Sequence, residues 1–435
     1  MLGNDSGSDP VQAALCLVFI LLVPFAGAGL ALIGTGLNRS RSATLAILTS
    51  LITGAVALLS YFAIGFAFQS SAIQHGRSFA IAGKTWDWLG SAPPFLSGMP
   101  LDGRPASLVA LFGLFSVSIA SIIPAASAGE RWRLGASCAS SALLAAWTYP
   151  LFAHWVWGAG WLSQLGAHFG LGSGFIDAGG SSVIHVVGGF TALALVWIVG
   201  PRRGRFTVDG IPTAMPGHNA VVVLFGCVLA FAGFIGLNSA GAILFAGRTP
   251  AQTVLVDVNT VLAAAAAALA AFTVTKVRFG RPDASLTANG WIAGLVAVGA
   301  GTPFIKPAEA VLVGLVAGVL VIFAVELLEL HMKIDDPSGA IAVHAGGGLW
   351  GALAVGIFGR FNGGASSGQF LAQWVGIASL LGIIFPLTFG LNWLLNRVMP
   401  QRVSPESERQ GADVFELGAG AYPEFVTHGE DLIRH

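Results

Sequence analysis

The sequence predicts an all-α polytopic membrane protein with eleven transmembrane helices, and three observations carry that prediction. Of 435 residues, 55% are hydrophobic and 10% are charged, where an ordinary soluble domain carries roughly 25% charge. Eleven apolar runs reach the roughly 20 residues that a helix needs to cross a hydrocarbon core. Glycine is 59 of the 435 residues, about twice its usual share of roughly 7%, and small residues let transmembrane helices approach closely.

The same composition excludes other classes. Disorder needs few apolar residues and much charge. A soluble enzyme this apolar could not clothe its own surface, so no enzymatic activity is expected. Net charge is zero, with 21 basic and 21 acidic residues, whereas a nucleic-acid partner would want a basic excess. Cys16, Cys138 and Cys227 sit inside apolar runs. They are too few and too scattered for a disulfide frame or a zinc site and read as packing residues. The N-terminal MLGNDSGSD lacks a basic n-region, so the first run reads as a span rather than a cleaved signal peptide.

The spans lie near 11–34, 43–68, 106–128, 134–153, 178–200, 217–245, 252–275, 286–304, 307–330, 337–359 and 370–398. Spans 8 and 9 are divided only by a short turn around Lys306 and Pro307. Segment 69–105 is the longest hydrophilic interruption, carries two adjacent prolines, Trp86 and Trp88, and reads as an extramembrane loop. Lys and Arg fix the orientation. Thirteen follow odd-numbered spans: Arg39, Arg41, Arg131, Arg133, Arg202, Arg203, Arg205, Lys276, Arg278, Arg281, Lys333, Arg397 and Arg402. Six follow even-numbered ones: Arg77, Lys84, Arg104, Arg248, Lys306 and Arg360. The N-terminus is therefore expected outside and the C-terminus inside. Residues 1–398 form a membrane domain in the lipid bilayer of the cell (inner) membrane, and 399–435 a cytoplasmic tail rich in acidic residues.

An internal repeat points to a site. DAGGSSVIHVVGGFTALALVWIVG, from Asp177 to Gly200, aligns with DPSGAIAVHAGGGLWGALAVGIFG, from Asp336 to Gly359, and eight of the 24 positions match. The matches include the Asp, the His eight residues later, Gly180 with Gly339, and a Gly-Gly pair. The two spans are five apart, so the copies run in opposite directions, and spans 1–5 and 6–10 form an inverted-topology repeat. Transporters of that plan place their sites near the midplane. Eight helical residues rise about 12 Å, and half of a hydrocarbon core is about 15 Å. His185 and His344, entering from opposite sides, would meet in the middle. An ionisable residue there is a functional-site hypothesis by default. The alternatives are a pair of merely packed histidines and bis-His haem ligation. Flanking glycines suit close packing more than a porphyrin, and no cofactor is expected. Asp177 and Asp336 stand where a carboxylate caps a helix N-terminus, and Asp177 would also bias an outer vestibule toward cations.

These residues resemble the ammonium transporter/Rh family, along nearly the whole chain. The resemblance is strongest at AHWVWGAGW (153–161), DAGGSSVIH (177–185), NTVLAAAAAALAAF (259–272) and DDPSGAIAVHAGGGLWG (335–351), with GERWRLGAS (129–137) and GFIGLNSAG (233–241) also fitting. DAGGS is nearer the Rh style, and the rest is more similar to bacterial ammonium transporters. The resemblance implies a homotrimer with one pore per subunit, carrying ammonium or ammonia, with methylammonium left open. It implies that Trp157 is the vestibule tryptophan, holding a cation by cation–π attraction, that His185 and His344 are the pore pair, and that Asp177 is the aspartate near the entrance. The chain departs from the pattern at the gate. The outer gate position is Ser116, with Phe112 one turn outward and Phe115 adjacent. The second gate Phe is Leu237, the usual Trp is Phe234, the vestibule Ser is Gly241, and the aromatic pair ending span 1 is Ile33 and Gly34. The expected result is a wider, atypical gate. GADVFELGAGAYPEF (411–425) resembles the family's tail motif, which contacts neighbouring subunits and can meet a PII-type regulator; a solvated acidic tail is the alternative.

A bare ammonium ion in an apolar pore meets a large desolvation cost, and desolvation favours the neutral form, so the substrate is expected to deprotonate on entry. Neutral imidazole both donates and accepts and can pass ammonia along. Other readings are an ammonium sensor that conducts little, an Rh-like neutral channel for ammonia or carbon dioxide, and a sodium-coupled symporter for larger solutes.

Overall fold

The computed structural model describes residues 9–70, 76–361 and 368–423, and helices occupy all eleven predicted runs. In chain order these are α1 (Pro10–Leu37), α2 (Ser40–Gln69), α3 (Pro105–Ala128), α4 (134–157), α5 (Ser181–Val199), α6 (Ala220–Ala246), α7 (Pro250–Phe279), α8 (Ala284–Gly299), α9 (Pro307–His331), α10 (Ile341–Phe358) and α11 (Gln369–Val398). Nine of them, among the described residues, are long and apolar enough to cross a membrane, and the chain is a multi-pass membrane protein. α4 and α8 are not among the nine. α4 opens on the serine-rich LGASCASSAL. α8 has 16 residues, which rise about 24 Å, short of a roughly 30 Å core.

Local chemistry sets the ends. The Asp9 carboxylate accepts a hydrogen bond from Val11 N–H with Pro10 at the first helical position, where its missing N–H costs nothing. Pro24 divides α1 into two helical halves. Asn219 and Asp283 cap α6 and α8 through their side chains, and Gly247 and Gly280, both left-handed, end α6 and α7. Lys306 and Pro307 open α9, the turn that separates it from α8.

The 69–105 interruption holds more structure than a loop. Gly76–Ile81 (β1) pairs antiparallel with Lys84–Gly90 (β2). Ala82 and Gly83 make the turn, both at positive φ, the conformation whose twist suits a two-residue hairpin. Trp86 is buried, with its ring 4.3 Å from His168, 5.3 Å from Phe169 and 6.5 Å from Trp161. Low hydropathy marks the segment as extramembrane, while its short alternation, Phe79, Ile81, Trp86 and Trp88, is what folds it.

The molecule is apolar outside. Leu51, Leu59, Val221, Leu269 and Val277 are each at least 65% exposed, as a lipid-facing or subunit-facing surface requires. Polar side chains turn inward and bond between helices, where no water is available to satisfy them. Asn259 Nδ2 donates to the carbonyls of Thr302 and Ile305 at 2.9 and 3.0 Å, and Gln373 Nε2 to those of Ile176 and Ala352, both at 2.9 Å.

At one end of the bundle a buried ionic cluster ties four segments together. Arg202 donates from Nε and Nη2 to the Asp335 carboxylate at 2.9 Å each, and its backbone N–H donates to the same carboxylate at 2.8 Å. Arg202 Nη1 reaches Glu130 at 2.8 Å, and Arg39 pairs with Glu130 as well. Arg131 donates to the carbonyls of Asp335 and Gly200 at 2.6 and 2.7 Å. The chain beyond α11 packs against this end. Arg402 and the Arg203 backbone N–H bind Glu408, and the Asp413 carboxylate accepts from Thr44 and Leu45 N–H at the start of α2. Glu408 and Asp413 are buried, so the tail is docked as far as Asp413, while Val414 and Phe415 just beyond are exposed. Residues 424–435, including the end of the tail motif, lie outside the described residues.

Candidate functional site

Each copy of the repeat builds the same local device. The Asp177 carboxylate accepts hydrogen bonds from the N–H groups of Gly180, Ser181, Ser182 and Val183 at 2.7–2.9 Å and from Ser182 Oγ at 2.5 Å. Asp336 does likewise for Ile341 N–H at 2.8 Å and Ser338 Oγ at 3.1 Å. The matched glycines carry the chain into the helix at positive φ, 86° at Gly180 and 68° at Gly339, which costs an L side chain strain. Both helices then begin with a π-helical stretch, Ser181–Val186 and Ile341–Gly346, a distortion found most often at functional sites. His185 and His344 sit in these two stretches. Nothing in the periodicity of the sequence announces them, though the flanking glycines occupy matched positions.

The Gly-Gly pair explains how the copies meet. A Cβ at Gly189 would lie 2.5 Å from the Ala345 nitrogen, and one at Gly348 would lie 2.3 Å from the Ser181 carbonyl oxygen. Each helix thus passes backbone to backbone across the start of the other. Gly348→Ala is expected to cost about 1–3 kcal/mol by overpacking, read as a lowered melting temperature in detergent. Gly382→Ala, also within a helix but where a Cβ meets open space, is the matched control and should hold or raise the melt, since Ala favours a helix over Gly by about 0.5–1 kcal/mol.

That approach brings the two imidazoles together. His185 Nδ1 lies 3.1 Å from His344 Nδ1, with the rings inclined by 18° and their centroids 5.0 Å apart. Both are buried, at 1% and 3% exposure. The Phe234 ring stacks on His185 at 5.1 Å. At 3.1 Å the two Nδ1 atoms bond directly to each other. With both rings neutral, one Nδ1 carries the shared proton and the other accepts it. One Nε2 is then a bare acceptor and the other an N–H donor. His185 Nε2 is buried without a protein partner among the described residues. His344 opens on a small recess that Ile33, Gly34, Ile122, Ala126 and Asn289 help to line, so Ile33 and Gly34 lie on the His344 side.

The other predicted residues divide. Trp157, almost fully buried, donates from its indole N–H to the Asp177 carbonyl at 2.7 Å. Phe112 meets Trp157 edge-on at 5.7 Å. Phe115 stays half-buried at the margin, with no ring contact to Trp157 among the described residues. Ser116 is fully buried one turn from Phe112, and its hydroxyl has no hydrogen-bond partner among the described residues. Leu237 is fully buried on α6, three residues beyond Phe234. Asp177 spends its carboxylate on the helix start and touches the Trp157 group only through its backbone. Gly241 has a steric reason to lack a hydroxyl, since a Cβ there would stand 2.1 Å from the Ala178 carbonyl oxygen. One residue is not singled out by the sequence motifs. Phe245 lies flat on Trp157, with centroids 4.4 Å apart and an interplanar angle of 0°, and meets Phe112 at 5.5 Å. Its spacing from Leu237 and Gly241, four residues at a step, places it on their helix face, which is the available signal.

Comparison with known proteins gives a consistent result. The model of the Ammonium Transporter Family matches residues 14–422. Ammonium transporter Amt2 of Archaeoglobus fulgidus is 36% identical, over 97% of this chain and 90% of its own length. A solved structure titled Sensor Amt Protein superposes with a TM-score of 0.83 at 29% identity, covering 94% of this chain and 99% of its own. Mep2 of Candida albicans, at 23% identity and a TM-score of 0.78, covers 96% of this chain and 91% of its own and shares the fold.

Proposed function

This chain belongs to the ammonium transporter family, and from that premise we propose that it carries ammonium across the cell membrane as ammonia, through a pore lined by His185 and His344. It is a transporter rather than an enzyme, and the sensor reading is not favoured. The observation that carries the pore is the Nδ1–Nδ1 contact at 3.1 Å between buried histidines, one from each copy of the repeat. In this reading all eleven helices span, α1–α5 and α6–α10 are inverted repeats, the N-terminus is outside and the tail inside. The protein works as a homotrimer, one pore per subunit, and the docked tail is the surface that neighbouring subunits or a PII-type regulator would meet.

The residues divide the work. Ammonium collects at Trp157 and Phe112, where the indole face attracts a cation. Beyond them the path is bounded by Ser116, Leu237 and Phe234. An unpaired ion there loses its hydration without compensation, so the proton is released at entry and neutral ammonia goes on. At the histidines, the bare Nε2 accepts from an ammonia N–H and the protonated Nε2 donates to its lone pair. Exchanging these roles takes a matched second move: as the shared proton passes from one Nδ1 to the other, the protonated Nε2 gives up its proton and the bare Nε2 gains one, so both rings stay neutral. Ammonia then leaves by the recess beside His344.

The test is transport by the purified protein in liposomes, followed as substrate uptake against ammonium concentration. Trp157→Leu should raise the half-saturating concentration roughly threefold or more, as expected for a cation–π contact of about 0.5–2 kcal/mol, with the maximal rate little changed. An unchanged half-saturation would remove Trp157 from the recruitment site.

A further inference from the structure

Phe245 occupies the place where a cation would dock. A cation–π partner sits over the ring face within about 6 Å of the centroid, and the Phe245 ring lies over that face of Trp157 at 4.4 Å with parallel planes. Phe112 closes the group, edge-on to both rings. Trp157 and Phe112 are buried, at 6% and 0% exposure, whereas Phe245 is half-buried and forms the outermost part of the cluster. It projects from the last turn of α6, two residues before the left-handed Gly247 that ends the helix. The two positions deeper in the pore where an aromatic gate would stand are Ser116 and Leu237, neither of which offers a ring. Gly241, one turn before Phe245, has no space for a side chain, so the cover over Trp157 comes from Phe245.

We propose that Phe245 is a movable aromatic lid and a specificity-determining residue of this transporter, competing with the monovalent ammonium cation for the face of Trp157. Entry requires a rotation of the Phe245 side chain, and the aromatic barrier absent at Ser116 and Leu237 is supplied one layer farther out. This rests on the pore reading above, and the two fail differently.

The experiment measures half-saturating ammonium for uptake into liposomes by wild type, Phe245→Ala, Trp157→Leu, the Phe245→Ala/Trp157→Leu double variant and His185→Ala. The lid predicts that Phe245→Ala lowers half-saturation about threefold or more when Trp157 is present and changes it little in the Trp157→Leu background, because the competition needs the indole. Phe245→Leu, which keeps apolar bulk without a stacking ring, should move the same way by less and serves if the alanine variant does not fold. If Phe245→Ala leaves half-saturation unchanged or raises it while Trp157→Leu still weakens uptake, the lid is overturned and the recruitment site stands. If Phe245→Ala has equal effects in both backgrounds, it acts through packing and the lid is overturned. If neither Trp157→Leu nor His185→Ala alters transport, the pore reading itself fails and the lid with it.

Discussion

Replacing His185 by Ala should lower the ammonium-evoked transport rate by roughly 5- to 150-fold. The substitution removes the partner of His344 Nδ1, 3.1 Å away, in an interior where an unsatisfied polar group costs about 1–3 kcal/mol, and about 1–3 kcal/mol corresponds to that range of rates. It also removes one of the two Nε2 groups that ammonia would use. His344→Ala should have a comparable effect, and the double variant should fall well short of the product of the two, because the residues act as one hydrogen-bonded unit. Rates measured for all three in liposomes at matched protein content check this. Additive effects would mean that the histidines act separately. Folding must be shown intact by melting, since the pair also packs.

The largest effect on stability is expected at Asp335. Asp335→Ala takes from Arg202 the carboxylate to which it makes three hydrogen bonds, leaving it Glu130 alone, and takes from Arg131 the carboxylate 3.9 Å away. Breaking a buried pair from one side costs about 3–5 kcal/mol, seen as a large fall in melting temperature. Asp335→Asn retains hydrogen-bond acceptors and should cost less. The group also has a pH signature. Burial alone would raise the Asp335 pKa, but the Arg202 hydrogen bonds and the Arg131 charge outweigh it and bring it down from 3.8 to about 2. Because the folded value lies below the unfolded one, the stabilisation is complete above about pH 4 and is lost as pH falls through about 2, a change of about 2 kcal/mol. Burial lowers the Arg131 guanidinium to about 10, which leaves it cationic throughout that window. Melting temperatures from about pH 5 down to about pH 2 should therefore fall more steeply for wild type than for Asp335→Asn.

Much of the site is legible in the sequence because it is written twice. The Asp, Gly180 with Gly339, the His and the Gly-Gly pair recur at one offset. Each has a matched place in both copies, as cap, left-handed entry, paired imidazole and close approach respectively. Apolar runs locate α1 to α11, because the bilayer demands length and apolarity before anything else, but not the short helices Leu165–Phe169 and Pro405–Gln410. Less legible is whatever depends on distortion or on distant side chains meeting. The π-helical stretches at Ser181–Val186 and Ile341–Gly346 leave no trace in a pattern of period 3.6. The β1–β2 hairpin is masked by the charge and length of its segment, against which a short alternation weighs little. Phe245 lies outside the motif GFIGLNSAG at 233–241 and looks like one more apolar residue of span 6, although eight residues from Leu237 is the same helix face. The docked tail is hidden because acidic residues usually face water, whereas Glu408 and Asp413 meet Arg402, Arg203 and the start of α2.

The central claim is that substrate passes through the His185–His344 pair. The most direct measurement records the current and the internal pH of liposomes together after an ammonium pulse, for wild type and His185→Ala at equal protein density. A pore through the pair predicts ammonium-dependent transport in wild type, as a saturable current or as internal alkalinisation, and loss of most of it in the variant. Equal current and equal alkalinisation in the two proteins would contradict it.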